Sequence, residues 1–230
     1  TIDSLNYKDV LSHIQNENNL FDFNKVLPIP NQLLFELNDL SKYSAYYYLT
    51  DDFKNPLKND DLMLLIKNNI LDYEVDIYKG ISKDLRQYEL RVMEKLNDIK
   101  DKSGFFSLGE RIVSNIKTYD SPNYVDWIPK FWGVNSNPVD VEIIESDVFF
   151  NTYEAVPHNI IKELSKNFKL DVIFKSYCED MDQWSISIYR SGELMLDKTN
   201  DLADKANIRN ELFKEKQWNH LMEIFQTFKK

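Results

Sequence analysis

The sequence predicts an α+β protein whose C-terminal half is an antiparallel sheet with one helix packed on it. Apolar and polar residues alternate in several stretches, which is the pattern of half-buried strands. The stretches that alternate are 139–143, 170–174 and 184–188, and 148–153 is predicted to be a further strand. Apolar residues of 157–168 instead recur at helical spacing. The order strand, strand, helix, strand is that of the second half of a ferredoxin-like sandwich.

Short turn sequences separate these elements. Ser146-Asp147 divides the first two strands, so we expect them to form a hairpin. Pro157 suits the first turn of the helix that follows. Ser191-Gly192 then turns the chain into a last strand at 193–196.

The remainder of the chain is predicted to be mainly helical. Stripes of leucine and tyrosine begin at residue 31, Ser82 is a helix cap, and Ser103-Gly104 is expected to end that helix. Before this region, 21–30 is expected to be extended because Phe and polar residues alternate and prolines follow. The predicted parts are a first strand, helix and extended segment in 1–30, a helical insertion in 31–131, the sheet-forming half in 132–197, and a C-terminal helix in 198–230.

Composition limits the classes of partner. The chain has 230 residues and a net charge of −10, and a field of that sign opposes binding to phosphate backbones and anionic membranes. Its single cysteine, Cys178, excludes an internal disulfide and fits a reducing cytoplasm. No apolar run reaches the roughly 18 residues of a transmembrane helix. We therefore expect a cytoplasmic protein without a membrane partner.

The negative charge is concentrated in the sheet-forming half. Residues 139–197 contain twelve acidic and five basic residues, so this stretch carries seven of the ten net negative charges. Either it is a solvated face that keeps the protein soluble, or it is an acidic surface for a basic partner. Under the second interpretation, the candidate contact residues are Asp140, Glu142, Glu145, Asp147, Glu179, Asp180 and Asp182.

A tyrosine cluster is the other candidate contact surface. On one helix, Tyr43, Tyr46 and Tyr47 share a face and Tyr48 points away. Core packing explains such a stripe, but tyrosine is also enriched at protein interfaces. Tyr43 and Tyr47 are therefore retained as alternative contact residues.

The sequence contains no recognisable catalytic motif. The phosphate-binding, serine-hydrolase and zinc-protease signatures are absent, and the three histidines, His13, His158 and His220, lack metal-ligand spacing. The acidic turn at 179–182 is the one candidate for a divalent cation, but it lacks a full loop pattern. We expect no catalytic residue, no metal and no cofactor, and the question of an enzymatic role stays open.

Two stretches resemble a known family. FDFNKVLPIP at 21–30 is similar to a signature of the YubB-type ferredoxin-like family of phage, plasmid and prophage proteins, and YVDWIPKFWGVNSNPVDVEI at 124–143 is similar to its second signature. The residues that carry the likeness are Phe21, Phe23, Pro28, Pro30, Asp126, Trp127, Trp132, Gly133, Asn137 and Val141. Residues 134–136 depart from the pattern and lack its Lys and Trp. The resemblance implies a ferredoxin-like fold and a mobile-element origin, and no reaction.

Three functions follow as hypotheses. The first is a non-enzymatic acidic module of a mobile element that binds a host protein with a basic surface, such as a counter-defence or host-takeover inhibitor of a nucleic-acid-handling protein. The second is a nucleic-acid binder that presents Phe149, Tyr153 and Tyr189 to bases, which the negative charge disfavours. The third is a carboxylate- or metal-dependent enzyme built on 179–182.

Overall fold

The computed structural model describes residues 2–3, 7–71, 81–97, 99–153, 155–178 and 183–201. These residues form α-helices and two small antiparallel sheets, which confirms the mixed α and β composition. The chain divides into two compact units. The helical unit is Ile29–Phe131, and the sheet unit combines Thr1–Pro28 with Trp132–Lys230.

The elements have the following bounds. In chain order they are β1 (Ile2–Asp3), α1 (Tyr7–Ile14), α2 (Phe23–Val26), a 3-10 turn (Asn31–Leu33), α3 (Asp39–Leu49), α4 (Asn59–Lys67), α5 (Ile81–Leu96), α6 (Lys102–Tyr119), α7 (Tyr124–Trp132), β2 (Val139–Ile144), β3 (Asp147–Asn151), α8 (His158–Phe168), β4 (Asp171–Cys178), β5 (Gln183–Arg190) and β6 (Glu193–Asp201).

The larger sheet has the strand order β1-β4-β5-β6, and every neighbouring pair is antiparallel. Strands β2 and β3 form a separate antiparallel hairpin. The last strand is longer than predicted, because β6 continues to Asp201 by pairing with β5 as far as Gln183. The prediction of a helix from residue 198 is therefore wrong for 198–201, and the remainder of that predicted helix lies outside the described residues.

Both faces of the β4–β5 pair are buried. Helix α8 lies on the face of Val172, Phe174 and Tyr189, because the His158 ring at its start contacts both aromatic rings. The opposite face is also buried and consists of Ile173, Ile186 and Ile188. The alternation predicts half-buried strands, whereas the centre of this sheet is covered on both sides.

The predicted extended segment at 21–30 contains a helical turn, so that prediction is wrong for Phe23–Val26. The Asp22 side chain caps the turn by accepting a hydrogen bond from the Asn24 N–H. Asn137, far along the chain, accepts from the Phe23 N–H at 2.9 Å and donates to the Asp22 carboxylate at 3.0 Å. The alternation of residues 21–30 cannot predict contacts with a residue as distant in the sequence as Asn137.

The two stretches that carry the family resemblance meet inside the sheet unit. Besides the contacts of Asn137, the Trp132 indole N–H donates to the Leu27 carbonyl at 2.9 Å. The Trp132 ring also lies edge-on to the Phe23 ring, with centroids 5.8 Å apart. Gly133 follows at φ +80°, a conformation that side chains disfavour. The contacts of Phe23, Trp132 and Asn137 therefore join distant parts of the chain, which is a structural role.

Three predicted helix boundaries in the helical unit are wrong, one of them at Ser82, which lies inside α5 and is not its cap. The leucine stripe suggests a helix from residue 31, but α3 begins at Asp39 because Asn38 and Ser41 form a capping box. Leu34 is accordingly exposed. Ser103-Gly104 does not end a helix either, since both residues lie in the first turn of α6, where Asp101 caps the Gly104 N–H.

The core of the helical unit brings α3 to α6 together. Its buried residues are Ala45, Tyr46, Tyr47, Leu62, Leu65, Ile70, Leu71, Tyr88, Val92, Leu96, Phe105, Ile112, Val113 and Ile116. The tyrosines of α3 thus supply core area, and aromatic rings bury more surface than any other side chain type.

Alkaline pH is expected to destabilise this helical core. Burial, assisted by the charge of Glu89, raises the pKa of Tyr46 to about 12. Burial also raises the pKa of Tyr47 to about 12, with contributions from Asp52 and Asp51. An unfolded tyrosine has a pKa of about 10, so the unfolded chain loses its phenolic protons first. Stability is therefore complete below about pH 10 and falls between about pH 10 and 12.

Urea denaturation between neutral pH and about pH 12 tests this expectation, with tyrosinate absorbance recording ionisation. The pKa difference of Tyr46 corresponds to a loss of the order of 2–3 kcal/mol at the alkaline limit. Tyr46→Phe removes one titrating group and should flatten the decline, whereas Tyr153→Phe, at an exposed position, should not. A free energy of unfolding that stays constant across this range would contradict the prediction.

Candidate protein-binding surface

The β2–β3 hairpin displays the acidic residues that the alternation places on the solvent side. Glu142 pairs with Phe149, and Ile144 pairs with Asp147. Along β2, half-buried and exposed residues alternate from Val139 to Ile144. As predicted, Asp140 and Glu142 are exposed.

Aromatic packing fixes the underside of the hairpin. The Phe150 ring lies 5.4 Å from the Phe21 ring, 5.8 Å from the Phe23 ring and 6.4 Å from the Phe174 ring, measured between centroids. Because successive side chains of a strand point to opposite faces, Phe149 must point away from this cluster. The hairpin is thereby attached on one side and open on the other.

The open side combines carboxylates with apolar side chains. We call it the hairpin face and define it by Asp140, Glu142, Ile144 and Phe149. Ile144 is 52% exposed and Phe149 53% exposed, and Tyr153, just beyond β3, is 63% exposed. Adjacent exposed apolar side chains are typical of interaction surfaces.

Sequence reasoning did not include Ile144 and Phe149 among the predicted contact residues of the acidic surface. A usable signal was present, because two consecutive phenylalanines in a strand cannot both face the core. Alternation alone allows either Phe149 or Phe150 to point outward, and only the nucleic-acid hypothesis placed Phe149 on the exposed side. The contacts of Phe150 decide it.

No basic residue close in the sequence neutralises the carboxylates of the hairpin. The chain has no Lys or Arg between Lys130 and Lys162, while this interval holds Asp140, Glu142 and Glu145 among its acidic residues. Asp140 accepts a hydrogen bond from the Asn151 amide at 3.1 Å. Among the described residues, neither Glu142 nor Glu145 forms an ion pair. The hairpin is therefore a local source of negative potential.

A bulge distorts the β2 strand at its start. The register shifts between Val139 and Glu142, and Asp140 has φ +51°. Bulges and charged side chains obstruct the addition of a further strand to a sheet edge. Contact through side chains on the hairpin face is thus easier than backbone pairing along β2.

The remaining acidic residues that were predicted as contacts are Glu145, Asp147, Glu179, Asp180 and Asp182. Glu145 is exposed and Asp147 is half-buried in the hairpin, whereas Glu179, Asp180 and Asp182 lie outside the described residues.

The tyrosines of α3 are not a surface patch. Tyr47 is 4% exposed, and its ring contacts the rings of Phe53, Phe105 and Phe106. Its proposed role as a contact residue is therefore corrected to a core role. Tyr43 is half-buried against the Tyr88 ring, with centroids 5.5 Å apart.

Trp127 and Trp132 belong to different units. Trp127 lies in the helical unit, is 5% exposed and stacks on Phe131 with centroids 4.8 Å apart. Trp132 is 2% exposed in the sheet unit. Pro28 is the last residue of the first segment of the sheet unit, and Pro30 precedes the 3-10 turn of the helical unit.

A polar network that the sequence did not reveal lies where α8 meets the sheet. His158 Nδ1 lies 2.9 Å from the Tyr189 hydroxyl oxygen, and the Ser187 hydroxyl donates to the Asp197 carboxylate at 2.7 Å. Burial, with the charge of Asp197, raises the pKa of Tyr189. The contact of His158 with Tyr189 fastens the start of α8 to the sheet. Because Tyr189 and Ser187 are buried, their hydroxyl groups are inaccessible to a substrate or a nucleobase.

A shallow cavity of about 250 Å³ lies in the helical unit. Polar side chains line much of it, including those of Glu36, Lys42, Asn68 and Asp126. Partial desolvation raises the pKa of the Asp126 carboxyl, and the charge of Lys42 opposes this rise. Asp126 remains exposed, so solvent screens both effects.

The cavity and the rest of the described chain show no metal site. Among the described residues, no group of three His, Cys, Asp or Glu side chains is arranged to hold a metal ion. Cys178, the last residue of β4, is half-buried and free.

Comparison of the chain with family models, curated proteins and solved structures finds no match. The helices of the described residues include none with the length and apolar character needed to cross a membrane.

Proposed function

We propose that this chain is a non-enzymatic binding module that docks onto a partner protein with a basic surface through its hairpin face. The observation that carries the proposal is the arrangement of exposed Ile144 and Phe149 beside exposed Asp140 and Glu142 on an anchored hairpin. Apolar side chains supply contact area, and the carboxylates supply orientation and a faster encounter with a cationic partner.

The rigidity of the hairpin supports this role. Phe150 fixes the hairpin to Phe21, Phe23 and Phe174, so the outer side chains are presented without a large ordering cost. No described cation competes for Glu142. A partner that brings lysine or arginine side chains therefore replaces water, not an existing ion pair.

The ferredoxin-like architecture is part of the same proposal. The sheet unit has the order β1, α1, then β2, β3, α8 and β4, with the helical unit inserted after α2. Strand β1 pairs antiparallel with β4, as the first and last strands of a ferredoxin-like sheet do. Strands β5 and β6 extend that sheet beyond the basic pattern. An origin in a phage or plasmid, and a host target in the bacterial cytoplasm that handles nucleic acid, are proposed from the resemblance at 21–30 and 124–143.

Reversing the charge of the hairpin tests the proposal. The triple variant Asp140→Lys, Glu142→Lys, Glu145→Lys is expected to abolish partner binding while thermal denaturation shows an intact fold. Its on-rate should fall first, and added salt should reproduce part of the loss for the native protein. Proteins retained from a bacterial lysate at low salt are identified, and the binding rates of the purified partner are then measured.

A matched variant separates the effect of the hairpin carboxylates on binding from the effect of the net charge of the protein. Glu17→Lys, Glu94→Lys, Glu110→Lys changes the net charge equally at exposed positions elsewhere, and it should retain most of the binding. If the hairpin variant binds the purified partner as tightly as the native protein at low salt, the proposal is wrong.

Direct binding of single-stranded nucleic acid is the second candidate, because Phe149 and Tyr153 are exposed aromatic residues. The burial of Tyr189 removes one of the three predicted stacking residues. A mobility shift with single-stranded RNA at low salt that disappears in Phe149→Ala would favour this candidate over a protein partner.

A further inference from the structure

Glu142 and Phe149 are directly opposite each other across the β2–β3 hairpin. Their side chains share the exposed face, and opposed residues of an antiparallel pair have Cβ atoms about 5 Å apart. A carboxylate side chain and an exposed aromatic side chain are thus neighbours on this face. Within the described part of the chain, neither side chain makes an ion pair or a ring contact.

We infer that this pair is a receptor for an arginine side chain of the partner, so that the hairpin face selects arginine over lysine. The inference rests on the proposed function and names the chemistry of its partner. A guanidinium is planar, stacks on aromatic rings and donates two parallel hydrogen bonds to a carboxylate. A lysine ammonium is a compact, strongly hydrated charge that gains less from the ring.

The protein itself contains a contact of this kind. In the helical unit, the Arg111 guanidinium lies 4.1 Å from the centroid of the Phe35 ring. On the hairpin, Glu142 adds the carboxylate that orients such a guanidinium, and exposed Ile144 adds apolar area for the methylene groups of the arginine.

Other occupants fit this face less well. A second copy of the chain would bring Asp140, Glu142 and Glu145 against the same three carboxylates, and like charges across an interface are repulsive. A partner strand added along β2 would meet the bulge at Asp140. The charge of the face therefore favours a basic side chain that approaches from solvent.

The test uses two capped peptides that differ only in having arginine or lysine at every basic position. We expect the native protein to bind the arginine peptide about two- to fivefold more tightly, which is the range for an exposed cation–π contact. Phe149→Leu should reduce this ratio to about one with little effect on the lysine peptide. Phe149→Tyr should keep the ratio, and Tyr177→Leu, at an exposed aromatic in β4, should leave it unchanged.

The outcomes separate the two proposals. If the triple lysine variant of the hairpin binds both peptides as tightly as the native protein does, the hairpin face is not the binding surface and the proposed function is wrong. If that variant does lose binding but the native protein binds both peptides equally, or Phe149→Leu keeps the arginine preference, the arginine receptor alone is wrong. Circular dichroism and melting of each variant establish that the fold is retained.

Discussion

Replacing Trp132 by alanine is expected to lower the free energy of unfolding by about 3–5 kcal/mol. The side chain is 2% exposed, and its truncation leaves a large cavity beside Phe23. The same change removes the indole N–H that bonds the Leu27 carbonyl. Truncation therefore destabilises the fold in two ways: it removes buried apolar surface, and it leaves the Leu27 carbonyl without the indole donor.

Two controls separate these contributions. Trp132→Phe keeps most of the ring and loses the N–H, so it should be less destabilising than alanine. Val125→Ala lies on the same helix at a position that is 51% exposed, and it should change stability by less than about 0.5 kcal/mol. Urea denaturation followed by circular dichroism, fitted with one or two transitions for the two units, measures each effect. A loss below about 0.5 kcal/mol for Trp132→Ala would mean that the ring is not part of the core.

The substitution Gly109→Ala is expected to destabilise the helical unit by about 2–3 kcal/mol. Helix α6 approaches α3 so closely here that an added Cβ would lie 2.0 Å from the Ser44 carbonyl oxygen and 2.8 Å from the Tyr48 Cβ. Neither neighbour is the far end of a flexible side chain, so the helices themselves must move apart. The gain in helix propensity, about 1 kcal/mol for Gly to Ala, offsets only part of this cost.

An exposed residue of the same helix provides the control. Ser107→Ala should alter stability by less than about 0.5 kcal/mol, because the Ser107 side chain is exposed. Gly109→Ala should also lower the melting temperature of the helical unit while the hairpin face keeps its affinity for a partner. An alanine variant that is more stable than the native protein would show that α3 and α6 are separated more widely than the structure indicates.

In the hairpin, the alternation of side chains along β3 links the packing of Phe150 to the exposure of Phe149. Phe150 packs against Phe174 in the sheet unit, and alternation then places Phe149 outside. The exposed ring is thus a consequence of anchoring its neighbour. The binding specificity that we propose for Glu142 and Phe149 would consequently depend on a hydrophobic cluster on the opposite side of the hairpin.

Local periodicity by itself determined the faces of β2 and the extent of α8. Asp140 and Glu142 face solvent, and α8 ends at Phe168, because side-chain direction repeats with the local backbone geometry. The same reasoning predicted antiparallel strands in the C-terminal half, since turns such as Ser191-Gly192 are encoded within a few residues.

Only the tertiary structure decided the features that depend on distant partners. The helical turn at Phe23–Val26 relies on Asn137, and the pairing of β1 with β4 joins the two ends of the sheet unit. Tyr47 lies in the core because Phe105 and Phe106 cover it. An apolar stripe on a helix has the same local pattern whether a core or a partner covers it. Only the contacts of the folded chain show that the core covers Tyr47.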